Sequence, residues 1–453
     1  MMPCMRRRLL VRLGLAALLA AAFGAGFAAH HVAWAARRGQ TQPYRALDVF
    51  SDVLAHVENS YVEPVDEREL VYGAIDGMMA RLDPHSVFMR PDVYKQMRDD
   101  TSGEFDGLGL ELTVQDGELT VVSPVAESPG ERAGIRPGDR VLSIDGAPTK
   151  DLTLSEAIRR MKGAAGTKVA LEIMREGFAA PQKLVLVRDR VRTQSVDLNV
   201  LDADHHYAYV RIRTFQERTD KGLQKALEDA RSQMGGTIRG LVLDLRNNPG
   251  GLLDQAVRVS DVFLSSGVIV TTAGRGRRNV EVERAHEKDT EPNYPLIVLV
   301  NKGTASASEI VAGALQDQGR AVIMGTQTFG KGSVQTIIEL EDGSGLKLTV
   351  ARYYTPKSRS IQERGITPDV VVAEVAPPRA DEPQLTERDL KRHLKNDAPG
   401  APAAPAATPL QPPAAAARAG DDFQLKTALD YLRAVDIFKA SIEQPKGVAS
   451  KKE

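Results

Sequence analysis

Residues 300–335 read VNKGTASASEIVAGALQDQGRAVIMGTQTFGKGSVQ. The stretch opens at the end of an apolar run, LIVLVN (296–301), and passes through a small-residue turn into SASEIVAGALQDQ, whose apolar positions suit a helix. A second short β-rich run, AVIMG (321–325), follows. Strand, helix and strand in this order predict a crossover unit of an α/β domain. Ser306 sits at the mouth of the helix between Ala305 and Ala307, and Lys331 comes 25 residues later between two glycines. A serine hydroxyl is a weak nucleophile until a base takes its proton. A lysine serves as that base when burial keeps its amine neutral.

Outward from this segment the alternation continues. HHYAYVRIRTF (205–215) and GLVLDLR (240–246) read as strands, and DKGLQKALEDARSQM (220–234) and GLLDQAVRVSDVFL (251–264) as helices. After Lys331 the pattern VQTIIEL, EDGSG, LKLTVARYYTP (334–356) is that of a β-hairpin. Leu245-Arg246-Asn247-Asn248-Pro249-Gly250-Gly251 makes a strand-to-helix turn, where aligned amides can face a developing oxyanion. Gln335 lies four residues after Lys331, so on a strand both side chains point the same way.

Residues 104–190 have a different character. Gly107-Leu108-Gly109-Leu110 leads into an alternating run with a hairpin signal at Asp116-Gly117, followed by AGIRPGDRVLSIDG (133–146). Residues 41–100 read as helical, with Leu47, Phe50, Leu54 and Val57 on one face, suited either to a capping bundle or to an oligomerisation face. From 373 to 418 the chain is rich in Pro and Ala and reads as an extended linker. It precedes an amphipathic helix within 419–453 carried by Phe423, Leu425, Leu429, Leu432 and Val435.

At the N-terminus, Arg6, Arg7 and Arg8 precede the apolar run Leu13–Ala29, and Ala33 and Ala35 form an A-x-A-like pattern. Residues 1–35 therefore read as an export signal, cleaved near Ala35 or retained as an anchor. The one cysteine, Cys4, falls inside that signal. The mature chain then holds no thiol nucleophile, disulfide or cysteine-ligated metal. With a formal net charge of −1, no broad field favours nucleic acid as a partner.

Three other motifs fail on context. Residues 325–332 are one residue short of a phosphate-binding loop, and Gly332 stands where Ser or Thr is needed. Ser344-Gly345-Leu346-Lys347 has the spacing of S-x-x-K but falls at a hairpin turn, not on a helix. His30-His31 and His205-His206 lack metal-ligand spacing with acidic partners. No metal or cofactor is expected.

Taken together, T-A-S-A-S-E with F-G-K-G-S-V-Q resembles the Ser-Lys active site of the C-terminal processing peptidases, the tail-specific serine proteases of peptidase family S41. ARLDPHS (80–86), LDLRNNPGG and TPD (367–369) extend the resemblance over roughly residues 45–375, and AGIRPGDRVLSIDG resembles a PDZ domain. Thr304 departs from the family's S-A-S-A-S, with consequences expected only for loop packing. The resemblance implies a crotonase/ClpP-like α/β protease core (191–372), an inserted PDZ domain (104–190) and an N-terminal helical segment. It implies Ser306 as nucleophile, Lys331 as base and Gln335 as its support. It also implies an oxyanion hole from the amide of Gly250 or Gly251 together with that of Ala307. Gly107, Leu108, Gly109 and Leu110 would hold a peptide carboxylate. Expected partners are protein substrates with free apolar C-terminal tails, in the bacterial periplasm or envelope. The terminal helices are candidate faces for a homo-oligomer, and an adaptor protein is a candidate regulator.

Overall fold

The computed structural model describes residues 45–374, 385–397, 410–411 and 422–443. The expected signal, residues 1–35, lies outside them. The chain divides into one unit ending at Gly77 and another beginning at Met78. The segment expected to be helical over 41–100 is broken into helices Arg45–Ser60, Glu67–Met79 and Pro91–Ser102, with a short strand Val87–Met89 inserted. In the first helix Leu47, Phe50 and Val53 are exposed.

The second unit is built on a six-stranded sheet whose strands follow chain order: Val196–Asp202, Tyr207–Ile212, Gly240–Asp244, Leu296–Val300, Val322–Gly325 and Val370–Val371. The first pair is antiparallel and every later pair is parallel. Parallel neighbours need crossovers. Three of these are helices, Thr219–Gln233, Leu253–Phe263 and Ala307–Asp317. They bury Leu223, Leu227, Val259, Ile310 and Val311 against Val210, Leu241, Leu243 and Val298 on one sheet face. Strands buried on both faces read as apolar runs, which is why GLVLD and LIVLV carry no alternation.

The opposite face is covered by the helix Phe423–Glu443. Ala428 and Leu432 pack there with Tyr207, Val242, Ile297, Leu299 and Met324. Arg246 fastens the start of this helix, bonding both Asp244 and Asp422. The apolar stripe expected to serve assembly is thus partly spent inside the chain, while Tyr431, Ile437 and Phe438 remain exposed.

A second sheet is antiparallel and joins Val87–Met89, Gly345–Tyr354, Val268–Gly274 and Glu281–Arg284, with Ser333–Glu339 also paired to Gly345–Tyr354. It carries the expected hairpin after Lys331. A third sheet comprises Leu110–Gln115, Glu118–Pro124, Arg140–Ile144, Lys168–Met174 and Gln182–Val187, and closes over Val121, Val141, Ala157, Leu171 and Ile173. Its first strand is an edge, and helix Leu154–Met161, capped by Thr153, lies on the same layer.

One sequence expectation is corrected. Residues 385–397, inside the stretch read as an extended linker, form a short turn around Glu387–Asp389, and Glu387 is fully buried. Pro and Ala dominate the flanking sequence, but LTERDLKRHLKND supplies the polar and apolar groups to pack.

Leu432 is 1% exposed and touches the sheet beside Gly240. Leu432→Ala should therefore lower stability by about 2–5 kcal/mol, measured by denaturant unfolding. A change below about 0.5 kcal/mol would mean that this helix does not stabilise the sheet.

Candidate active site

Ser306 precedes the helix Ala307–Asp317 with φ +57 and ψ −117, a conformation that a non-glycine residue rarely adopts. Such strain costs about 1–3 kcal/mol and persists only where neighbours enforce it. The neighbours are identifiable. Its N–H donates to Glu309 Oε2 at 2.8 Å, and its carbonyl accepts from Glu309 at 2.9 Å and Ile310 at 3.1 Å. Asn248, fully buried, accepts at its carbonyl from the Ala305 N–H at 3.0 Å and from Ser308 Oγ at 2.9 Å. Thr304, the departure from the family pattern, is also fully buried and donates to the Leu245 carbonyl at 2.8 Å.

Glu309 is the central member. Its carboxylate has no solvent exposure and accepts four hydrogen bonds. Besides Ser306 these come from Thr328 Oγ1 (2.6 Å), the Gly330 N–H (2.8 Å) and the Lys331 N–H (2.9 Å). One side chain thereby joins the serine turn to the lysine turn. Burial pushes its pKa up to about 7 even against these donors.

Ser306 and Lys331 line one cavity of about 320 Å³ with Gln335, Lys347, Tyr353 and Gly251. The Lys331 amine is pushed down to about 8, chiefly by burial and then by the charge of Lys347, against the opposing pull of Glu387, Glu309 and Asp83. Lys347 is itself held below the usual lysine value by burial. It belongs to the S-x-x-K spacing set aside above. The antiparallel pairing of Gly345–Tyr354 with Ser333–Glu339 carries it back towards Lys331. Tyr353 is also new to the site. Its hydroxyl donates to the Lys331 carbonyl, and burial pushes its pKa well up.

Gln335 faces the cavity, as expected, but its amide nitrogen donates to Ser333 Oγ at 2.9 Å and Thr349 Oγ1 at 3.2 Å. No bond to the Lys331 amine accompanies these, so the predicted direct support is replaced by contacts to its own hairpin.

The two glycines of the LRNNPGG turn separate. The Gly250 N–H donates to Asn248 Oδ1 at 2.9 Å. It is therefore already engaged, and Gly250 serves through its missing side chain: a Cβ there would stand 2.8 Å from Ser306 Cβ and 2.9 Å from the Ala307 nitrogen. The N–H groups of Gly251 and Ala307 have no acceptor among the described residues. They flank Ser306 in the same cavity.

In the third sheet, the carbonyl of Leu108 accepts from Gly130 at 2.8 Å, and that of Gly109 from Val125 at 2.8 Å and Ser128 at 3.2 Å. The N–H groups of Leu108 and Gly109 have no acceptor among the described residues. Gly109 has φ +68, and a Cβ there would lie 2.3 Å from Ser128 Cβ. Leu110 begins the edge strand. Among the described residues no group of three or more His, Cys, Asp or Glu side chains is placed to hold a metal ion.

Comparisons with known proteins agree with this architecture. The sequence model of Peptidase family S41 matches residues 206–372, a PDZ domain model matches 120–175, and the model of the activating protease CtpB N-terminal domain matches 27–93. The chain is 45% identical over 355 residues to a carboxy-terminal-processing protease of Bartonella bacilliformis, covering 78% of this chain and 81% of that protein. It is 37% identical over 325 residues to the carboxy-terminal processing protease CtpA of Bacillus subtilis, covering 72% and 68%. A solved photosystem II D1 C-terminal processing protease is 35% identical, covers 72% of this chain and 88% of its own, and gives a TM-score of 0.43. The chain belongs to the carboxy-terminal processing proteases of peptidase family S41: it is a PDZ-containing, serine-type peptidase of mixed α/β fold.

Each buried donor left unsatisfied costs about 1–3 kcal/mol. Glu309→Gln turns one acceptor oxygen into a donor facing N–H or O–H groups. The variant should lose about 100-fold or more in kcat, with the PDZ domain still folded. Wild-type turnover in this variant would show that the carboxylate does not join the two turns.

Proposed function

We propose that this protein is an exported, ATP-independent endopeptidase that recognises the C-terminal tail of protein substrates and cuts upstream of it with a Ser306–Lys331 dyad. The observation that carries this reading is the shared Glu309 carboxylate, which fixes the strained serine and the lysine turn about one cavity. Lys331, neutral, takes the Ser306 proton as the oxygen attacks the peptide carbonyl, and later passes it to the leaving amine. The amides of Gly251 and Ala307 hold the oxyanion, the two whose N–H groups are not already spent. Water then hydrolyses the acyl-enzyme. Tyr353 and Gln335 keep the hairpin and the lysine turn in register. The in-order sheet with its crossover helices on one face supports assigning the core to the crotonase/ClpP-like kind.

Tail recognition follows from the third sheet. The amides of Leu108 and Gly109 offer donors to a carboxylate, Gly107 admits the backbone, and a peptide extends the free edge of Leu110–Gln115. Export to the bacterial periplasm or envelope rests on the basic and apolar pattern of residues 1–35. Among the described residues no helix is long and apolar enough to cross a membrane. Exposed Leu47, Phe50 and Val53 on the N-terminal helix, and Ile437 and Phe438 on the C-terminal one, support assembly into a homo-oligomer or onto an adaptor.

Ser306→Ala and Lys331→Ala should each abolish turnover, and the double variant should be no worse than either, because both serve one proton transfer. Since only the neutral amine accepts a proton, the rate should rise with pH through a midpoint near 8. Additive losses, or a midpoint at the ordinary lysine value, would contradict the dyad.

Amidating the substrate C-terminus should raise KM about tenfold or more by removing the charge that the loop amides bind. Gly109→Val should do the same to the free-acid substrate while Ser306 still reacts with a small serine-directed probe. Equal cleavage of acid and amide by the unaltered enzyme would remove tail specificity from the proposal.

A further inference from the structure

Residues 385–397 lie beyond the stretch that matches peptidase family S41, yet they pack against its catalytic turns. Burying a carboxylate is costly unless hydrogen bonds satisfy it. Glu387 has no exposed surface, and its carboxylate bonds lead towards the site. Its Oε1 accepts from Gln362 Nε2 at 2.8 Å, and Gln362 Oε1 accepts in turn from the Gly332 N–H, next to Lys331, at 2.9 Å. Its Oε2 meets His85 Nε2 at 2.7 Å. His85 belongs to the 80–86 turn, whose Asp83 accepts from Thr349 Oγ1 at 3.1 Å, and Thr349 in turn holds Gln335. The Glu387 N–H donates to the carbonyl of Phe329, two residues before Lys331, at 3.2 Å.

The remainder of the segment is fastened alongside. His393 Nε2 pairs with Glu363 Oε1 at 2.6 Å, the Asn396 N–H donates to Glu363 Oε2 at 2.8 Å, and Asp397 pairs with Arg352 at 3.1 Å. Gly332 cannot yield to this pressure by carrying a side chain, since a Cβ would stand 2.5 Å from the Gln362 nitrogen. The lysine turn is therefore held from two sides, by Glu309 from the serine helix and by Glu387 through Gln362.

We propose that residues 385–397 form a strap whose Glu387 is a positioning residue for the turn that carries Lys331, so that the enzyme is fully active only with the strap seated. The proposal rests on Lys331 being the base. Glu387 acts through Gln362, Gly332 and His85, and does not touch the reacting atoms. The charged groups facing Lys331 are Lys347 on its hairpin, Glu309 on the serine helix, Asp83 on the 80–86 turn and Glu387 on the strap. A nearby negative charge favours the protonated amine. Removing the charge of Glu387 should therefore shift the acid limb of the rate profile to lower pH.

The test assays the full mature chain and its Glu387→Ala, Glu387→Gln and Lys331→Ala variants on an unfolded protein with a free apolar tail. Rates are taken from pH 6 to 10 per active site titrated with a serine-directed probe, together with Tm. Glu387→Ala should lower kcat by about 10- to 100-fold with KM nearly unchanged, because a misplaced base slows chemistry and not binding. Glu387→Gln keeps the size and hydrogen-bonding reach and should move the midpoint to lower pH. This variant decides the question if Glu387→Ala does not fold. Wild-type kcat per site and a wild-type midpoint in the Glu387 variants, even with a lowered Tm, would overturn the strap's role. If Lys331→Ala is then inactive, the dyad survives and only the strap falls. Turnover by Lys331→Ala overturns both.

Discussion

The site depends on one buried carboxylate. Glu309, fully buried, gathers donors from Ser306, Thr328, Gly330 and Lys331. A carboxylate so placed is tolerated only while every donor is present. The serine turn and the lysine turn, far apart in the chain, therefore have one joint solution. The strain at Ser306 is maintained by the same contacts, and Ser306 lines the cavity.

Around this contact the structure excludes bulk wherever backbone must approach. Gly250 lies against Ser306 and the Ala307 nitrogen, and no side chain fits there. Asn248 takes the Gly250 amide for itself, whereas the N–H groups of Gly251 and Ala307 have no acceptor among the described residues. The lysine amine is buried, with a second lysine, Lys347, lining the same cavity, and burial first and that charge second lower its proton affinity. Burial thus does double service. It makes the polar contacts of the turns unforgiving, and it lowers the pH at which the amine loses its proton.

Much of this was legible in the sequence. The strand–helix–strand order followed from apolar runs and small-residue turns. Ser306 and Lys331 stood out because Ala and Gly neighbours leave room that ordinary surface turns do not need. What failed to appear shares a cause: sequence spacing gives the side to which a group points, not the partner it finds. Gln335 lines the cavity, but Lys331 precedes the strand Ser333–Glu339 that their spacing was read on, and the Gln335 amide is taken by Ser333 and Thr349. The choice between Gly250 and Gly251 depended on where the Asn248 side chain turned. Lys347 was set aside with its hairpin turn, although antiparallel pairing returns it to the site. Glu309 drew no role and Glu387 fell in a linker, because nothing local marks a carboxylate that will be buried by residues distant in the chain.

The most direct test of the account is to observe the Lys331 amine itself. In the Ser306→Ala protein with ¹³C-labelled lysine side chains, the Lys331 Cε signal, assigned by its loss in Lys331→Arg, can be followed from pH 6 to 11. The account predicts a titration midpoint near 8. A midpoint at the ordinary lysine value of about 10.4 would leave the amine protonated under working conditions, and would contradict its role as the base.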